Sequence, residues 1–302
     1  MKKAIISILC VAAVTAIFFL TWRGETEVIP AIFPLEQDPA LEQDLVLAQA
    51  PANIGWGGIS LTSECLSLLQ DTGYLKLVNR EFYMTSPTDP SKIVSVWPGI
   101  DVSTTHITIH QTARAAIYSL LGQARYIDGL GSFFVTSGYR SFDRQRELYE
   151  NAVNRAYLLP PGHSEHQLGL AADILVVGTP MSSAQMSGTP EAIWLAENAW
   201  QHGLILRYPN WATEITGVAY EPWHFRYVGL VHAWYMHNHD MVLEQYLEYL
   251  EQHGGFTTVL DGVTYHVLYQ RPVDGRIYVP YGLEFIISTS NRGGYVITAT
   301  LP

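Results

Sequence analysis

The stretch that decides the fold and the chemistry of this chain is Ser164–Asp173, which reads SEHQLGLAAD. It offers an imidazole at His166 and a carboxylate at Asp173, and the small residues between them suit a backbone packed closely beneath a metal ion. A second stretch, Glu221–His224, reads EPWH and adds another imidazole. Zinc binds imidazole nitrogen and carboxylate oxygen, and a catalytic zinc site has three protein ligands and one open position for water. We therefore predict that His166, Asp173 and His224 hold one zinc ion.

Glu221 is the predicted general base of this site. It precedes His224 by three residues, so on one short element it can reach a water molecule held by the metal. Zinc lowers the pKa of such a water to about 7, and a nearby carboxylate can take its proton and later pass it to a leaving amine. The adjacent Trp223 can seal one side of the site from solvent.

The chain has eleven histidines, so some chance spacings are expected. We interpret the pairs His106/His110 and His237/His239 as structural. The joint pattern of both stretches, not any single histidine, supports the predicted metal site.

Composition limits the classes of function. The chain has 302 residues, of which 48% are hydrophobic and 15% charged, which favours packed domains over disorder. The net charge of -11 argues against a nucleic-acid partner. The two cysteines are Cys10, inside an apolar run, and Cys65, so we exclude a disulfide scaffold and a cysteine-type zinc site.

The N-terminus predicts a membrane anchor over residues 1–23. Lys2 and Lys3 precede a mostly apolar run from Ala4 to Trp22, long enough for one membrane helix, and no cleavage site follows directly, so an uncleaved anchor is favoured over a signal peptide. Residues 24–74 contain no Lys or Arg and many acids, and are predicted to be an extracytoplasmic linker. The positive-inside rule then predicts a single-pass membrane protein whose body lies outside the cytoplasm.

Residues 75–253 predict an α+β domain, a small antiparallel sheet with flanking helices around the zinc site. Thr189 followed by Pro190 predicts a helix start, and Asp240 predicts another. Short strands are predicted at residues 204–206 and 218–220. Residues 254–302 are predicted to form a short C-terminal β appendage, in which Asp261-Gly262 marks a hairpin.

The two motif stretches together resemble the VanY-type D-alanyl-D-alanine carboxypeptidases, a group of zinc peptidases that includes the VanX-type dipeptidases. The segments SGYRS at Ser137–Ser141, LRYP at Leu206–Pro209 and FRYVG at Phe225–Gly229 are similar as well. The resemblance covers roughly residues 77–252. The anchor and the β tail resemble those of membrane-bound VanY proteins from glycopeptide-resistance clusters.

The resemblance implies roles for further residues. It implies that Arg140 stabilises the oxyanion, a role that a fixed cation suits physically. It also implies that Gln145 and Ser164 bind the terminal carboxylate of the substrate or the neighbouring amide. Tyr139 and Trp223 complete the predicted substrate-binding residues.

The implied activity is removal of the terminal D-Ala from peptidoglycan precursor pentapeptides without inhibition by β-lactams, with terminal D-lactate as a further candidate leaving group. An L,D-carboxypeptidase or endopeptidase acting on stem peptides would use the same metal site. A non-catalytic wall-binding protein is a third hypothesis. The oligomeric state is left open.

Overall fold

The computed structural model of the chain describes residues 56–60, 73–152 and 158–301. The predicted anchor, residues 1–23, and most of the predicted linker lie outside the described residues. Among the described helices, none combines the length and the apolar character needed to cross a membrane.

The described elements are short strands and helices mixed along the chain. The strands are β1 Trp56–Ser60, β2 Ile93–Ser95, β3 Thr108–His110, β4 Phe133–Ser137, β5 Ala171–Val176, β6 Leu204–Leu206, β7 His224–Tyr227, β8 Gly255–Leu260, β9 Val263–Gln270, β10 Arg276–Pro280, β11 Phe285–Thr289 and β12 Tyr295–Leu301. The α-helices are α1 Gln111–Ala124, α2 Phe142–Asn151, α3 Ser183–Met186, α4 Pro190–Asn198, α5 Thr213–Thr216, α6 Leu230–Asn238 and α7 Leu243–His253. The 3-10 helices are Pro90–Lys92, Glu165–Leu168, Ala199–His202 and Asn210–Ala212.

A four-stranded antiparallel sheet in the order β4-β5-β7-β6, here called the central sheet, carries the predicted ligands. All six residues of β5 are buried, because helices α1 and α4 cover the sheet in a shared hydrophobic core. Leu120 of α1, Ile174 of β5 and Leu195 of α4 are fully buried there. The mixed helix and strand fold predicted for the body is therefore confirmed.

The C-terminal sheet has the order β11-β12-β9-β8, and it packs on α6 and α7 to form a second core. Leu247 of α7, Val267 of β9 and Val296 of β12 are fully buried in it. The predicted hairpin at Asp261-Gly262 is confirmed, since both residues have positive φ angles between β8 and β9. The β appendage therefore shares a core with helices of the predicted body.

The predicted linker, residues 24–74, is wrong for Trp56–Ser60. These residues form β1, which pairs antiparallel with β10. A Cβ atom at Gly57 would lie 2.7 Å from Cζ of Tyr281, so glycine lets that ring pack against β1. Two glycines in five residues weaken the local strand signal, and the partner strand lies far along the chain.

Two further local predictions are wrong. Residues 218–220 form no strand, since they pair with none of the described strands. Asp240 has a positive φ of 49° and precedes the cap of α7, which is Val242, whose N–H donates to Gln245 Oε1. The predicted start at Thr189 is confirmed, since its Oγ1 accepts from the N–H of Ala192 at 3.2 Å.

Candidate metal centre and active site

Strand register brings the predicted ligands together. Asp173 of β5 is paired directly with His224, the first residue of β7. His166 lies on the 3-10 helix that precedes β5, and Gly169, with a φ of +69°, ends that helix and turns the chain into the strand. The ligand atoms of His166, Asp173 and His224 all lie within 4.8 Å of one another, and all three residues are buried.

The geometry of these atoms fits one bound cation. Nδ1 of His224 lies 3.1 Å from Oδ1 of Asp173, and Nε2 of His166 lies 3.4 Å from Oδ2 of Asp173. Two ligands of a tetrahedral zinc ion, each about 2.1 Å from the metal, are about 3.4 Å apart. Nδ1 of His166 contacts the carbonyl of Gly138 at 2.6 Å, which leaves Nε2 free to face the metal. Two imidazoles and a carboxylate are a donor set that zinc accepts.

The electrostatics of the three residues favour a positive charge between them. Burial opposes ionisation of Asp173, but the hydrogen bonds and charges of His166 and His224 hold its pKa well below the ordinary value. Burial, reinforced by the charge of Arg140, lowers the pKa of His166 to about 4, so its imidazole is neutral. Burial also opposes protonation of His224, but its hydrogen bond to Asp173 and the carboxylate of Glu165, which lies 3.5 Å from Nε2, raise its pKa to about 9. A metal ion can replace the proton that the two carboxylates hold there.

Glu221 lies in the loop before β7, where its N–H donates to the carbonyl of Tyr208 at 3.1 Å. Its Oε2 is 3.8 Å from Nδ1 of His224. Burial raises the pKa of Glu221 to about 7, with the charge of Asp173 adding to the effect and His224 opposing it. A carboxyl group whose pKa is near neutrality can both accept and return a proton.

Arg140 follows β4 and reaches the same site. The strand is irregular between Val135 and Ser137, as a β-bulge would make it. Nη2 of Arg140 donates to Ser137 Oγ at 2.9 Å and to Asp173 Oδ2 at 3.4 Å. These bonds fix a cation at the cavity beside the three ligands.

A cavity of about 780 Å³ opens onto these groups. Of the predicted substrate-binding residues, Gln145, Ser164 and Trp223 line it. Tyr139, which adjoins Arg140 along the chain, is not among the lining residues, and its role in substrate binding stays a prediction.

Gln145 lies in the wall of this cavity. It is fully buried, and its Nε2 donates to the carbonyl of Leu159 at 2.7 Å. Its Oε1 has no hydrogen-bond partner among the described residues.

A buried charge network beneath the site was missed by the sequence reasoning. Glu165 accepts hydrogen bonds from Arg207 and Arg226, and Arg207 also binds Glu244. Burial opposes ionisation of Glu165, but the charges of the two arginines keep its pKa well below the ordinary value. Arg207, Arg226 and Glu165 lie within the quoted motif segments, but no short-range pattern tells which charges will meet.

The histidines interpreted as structural have other contacts. His237 stacks on Trp200 with ring centroids 5.2 Å apart, and His239 stacks on Tyr235 at 4.0 Å. His110 caps α1 by accepting from the N–H of Thr112.

Residues 106–230 match the VanY family, described as D-alanyl-D-alanine carboxypeptidase. A D-alanyl-D-alanine carboxypeptidase of Enterococcus faecium is 42% identical over 172 residues, which are 56% of this chain and 54% of that protein. The match thus spans about half the length of this relative.

Two solved structures have folds similar to that of this chain. The LD-carboxypeptidase LdcB is 34% identical with a TM-score of 0.52, over 57% of this chain and 84% of that one. The D,D-dipeptidase VanXYg, solved with a D-Ala-D-Ala phosphinate analogue, has a TM-score of 0.68 over 82% of this chain and 99% of that one. Its identity of 23% makes this a likeness of fold alone. From the sequence match and the shared fold, the chain belongs to the VanY family of D-alanyl-D-alanine carboxypeptidases.

Proposed function

We propose that the chain is a zinc D,D-carboxypeptidase that removes the C-terminal D-Ala from peptidoglycan precursor pentapeptides. The observation that carries the proposal is the set of three ligand atoms within 4.8 Å, beside Glu221 and Arg140 at one cavity. His166, Asp173 and His224 would hold the zinc ion. The membership in the VanY family supports the choice of substrate.

The residues of the chain divide the reaction between them. A bound zinc ion supplies Lewis acidity, which polarises the scissile carbonyl and makes water more acidic. Glu221 takes a proton from the attacking water and returns it to the departing amine of D-Ala. Arg140 stabilises the negative charge that develops on the carbonyl oxygen. Gln145 and Ser164 line the cavity and are the residues proposed to bind the substrate's terminal carboxylate or the neighbouring amide.

No serine nucleophile takes part in this mechanism, so we expect β-lactams not to inactivate the enzyme covalently. The test is release of D-Ala from a stem pentapeptide by purified protein, measured with zinc, with a chelator and after zinc is restored. We expect chelation to abolish hydrolysis and zinc to restore it. A non-catalytic wall-binding protein would release no D-Ala under any of these conditions.

Glu221→Gln tests the proposed base. We expect hydrolysis to fall about 10²–10⁴-fold, the usual contribution of general acid–base catalysis, while zinc binding is retained. The matched control is Glu214→Gln, since Glu214 is an exposed glutamate on α5 near the site. Full activity in Glu221→Gln would contradict the mechanism.

An L,D-carboxypeptidase is the second candidate, and the likeness to LdcB favours it. The same residues would hydrolyse the last bond of a tetrapeptide, since zinc chemistry does not select the bond. Mass spectrometry of tetrapeptide and pentapeptide digests separates the two, and digests of cross-linked dimers test an endopeptidase. Loss of D-Ala from the tetrapeptide alone would replace the first proposal by this one.

We further propose that the enzyme accepts D-Ala-D-lactate termini and contributes to glycopeptide resistance. The general base and oxyanion stabilisation proposed for amide hydrolysis also serve ester hydrolysis. Comparing release of D-Ala and D-lactate from matched substrates tests the first part. Expression in a glycopeptide-sensitive host, with Glu221→Gln as control, tests the second.

We propose that residues 1–23 anchor the protein in the cell membrane with the catalytic domain outside the cytoplasm. Lys2, Lys3 and the apolar run that follows support this arrangement. The full chain is expected in the membrane fraction after alkaline washing, and a chain that starts at Gly24 is expected in the soluble fraction. Equal distribution of both chains would contradict the anchor.

A further inference from the structure

Glu165 is a fully buried carboxylate that the proposed reaction does not use. It is 1% exposed and lies between Ser164 and His166 at the start of the 3-10 helix. Its Oε1 accepts hydrogen bonds from Nε of Arg207 and Nη1 of Arg226, each 2.8 Å long. The other oxygen, Oε2, points instead at the metal centre.

Oε2 of Glu165 faces Nε2 of His224 at 3.5 Å. Within the part of the chain that the structure describes, neither atom has a hydrogen-bond partner by ordinary geometric limits, and both are buried. A buried polar atom without a hydrogen-bond partner costs free energy, so we expect two such atoms that face each other to share a hydrogen bond. The required donor is an N–H on Nε2 of His224, which leaves Nδ1 as the atom that faces Asp173.

The arginines hold Glu165 in its charged form and in one position. Arg207 also binds Glu244 through two hydrogen bonds of 2.9 and 2.6 Å. The side chain of Arg226 additionally donates to the carbonyls of Tyr74, Lys76 and Tyr227. The negative charges of Glu165 and Glu244 balance the positive charges of Arg207 and Arg226. The carboxylate of Glu165 is therefore neutralised without a positive charge on His224.

We propose that Glu165 is the positioning residue of His224, holding its Nε2–H tautomer and turning Nδ1 toward Asp173 for zinc. This inference rests on the proposed zinc site. Carboxylates that accept from the second nitrogen of a metal-bound histidine orient the ring and raise its basicity. Their loss typically weakens metal binding about 10–100-fold.

The test measures the zinc dissociation constant and the melting temperature of the full-length chain, with a chromophoric chelator as competitor. Glu165→Gln removes the charge, whereas Glu165→Asp keeps the charge for the arginines but withdraws the carboxylate from His224 by one methylene. Both variants are expected to weaken zinc binding about 10–100-fold. Glu244→Gln disturbs the same network without touching His224, so it is expected to lower the melting temperature and keep the wild-type zinc affinity.

The outcomes separate this inference from the proposed function. Wild-type zinc affinity in Glu165→Asp, or equal losses in Glu165→Asp and Glu244→Gln, overturns the positioning role. A wild-type chain that binds no zinc overturns the proposed function itself. If neither Glu165 variant folds, NMR of the zinc-loaded wild type decides: a slowly exchanging Nε2–H of His224 supports the role, and rapid exchange of that proton overturns it.

Discussion

The central sheet and the C-terminal sheet are both four-stranded and antiparallel, but they bury different side chains. Beside the central sheet lie buried charged groups, among them Glu165, Asp173, Arg207 and Arg226. The buried polar residues of the C-terminal sheet are His266, Gln270 and Ser288, which carry no fixed charge. The rest of its buried face is apolar.

This difference indicates that the central sheet holds the catalytic groups, whereas the C-terminal sheet stabilises the fold. Buried charges contribute little net stability even when they are well paired, so a sheet that served only stability would not need them. Beside the central sheet, Asp173 is one of the three metal ligands, and Glu165 lines the cavity and binds Arg207 and Arg226. In the C-terminal sheet, Gln270 bonds both the N–H and the carbonyl of Tyr278, a neutral contact that joins β9 to β10. We expect substitutions in the first sheet to change catalysis and those in the second to change folding.

Arg140→Lys tests the catalytic side of this comparison. Lysine keeps the charge but loses the planar fork that binds Ser137 and Asp173, so its position relative to the substrate changes. We expect the turnover number to fall about 10²–10³-fold, as when an oxyanion donor is removed, while zinc affinity is kept. The control is Arg146→Lys on the exposed face of α2. Unchanged turnover in Arg140→Lys would remove Arg140 from the mechanism.

Leu247→Ala tests the supporting side. Leu247 is fully buried in the second core between α7 and the C-terminal sheet. We expect the free energy of unfolding to fall by about 2–5 kcal/mol, with unchanged turnover well below the melting temperature. Val259→Ala on β8 is the matched control, because Val259 is 60% exposed. If Leu247→Ala lowered the turnover number but left the free energy of unfolding unchanged, the assignment of catalysis to the central sheet and of stability to the C-terminal sheet would be contradicted.

His232 gives a smaller, pH-dependent effect at the junction with the C-terminal sheet. It contacts Tyr246 OH at 2.6 Å and Thr298 Oγ1 at 3.0 Å, and burial lowers its pKa to about 3. The folded protein therefore holds this histidine neutral, whereas the unfolded chain protonates it below about pH 6.5. The contribution of neutral His232 to the free energy of unfolding is therefore fully present above about pH 6.5. It is lost as the pH falls toward 3, at up to about 1.4 kcal/mol per pH unit.

The measurement compares urea unfolding of the wild type and of His232→Gln between pH 7 and pH 4. Glutamine can keep both hydrogen bonds but does not titrate in this range. We expect the stability of the variant to fall less steeply with acid. Parallel curves would show that His232 is not held neutral in the fold.

Local signals predicted local structure well. Thr189 and Pro190 mark the start of α4, and Asp261-Gly262 marks the hairpin between β8 and β9, because caps and tight turns depend on a few neighbouring residues. The strand expected at residues 218–220 and the linker expected at Trp56–Ser60 failed for the opposite reason. Whether an extended segment becomes a strand depends on a partner elsewhere in the chain.

The candidate site divides in the same way. The motif spacing alone singled out His166, Asp173, Glu221 and His224, because a metal site requires particular donor types and the chain concentrates them in two short stretches. Arg140 and Gln145 entered through the resemblance, and the structure brings both to the cavity. Tyr139 also entered through the resemblance, but it is not among the residues that line the cavity.

The sequence by itself determined the donor atoms, the family and the positions of turns and caps, since each of these depends on the identity and spacing of nearby residues. Only the tertiary structure decided the pairing of Asp173 with His224, the joining of β1 to β10 and the meeting of Glu165 with Arg207 and Arg226. The physical reason is that strand register and the pairing of buried charges depend on which segments, distant in the sequence, pack together in one core. Short-range patterns do not encode that choice.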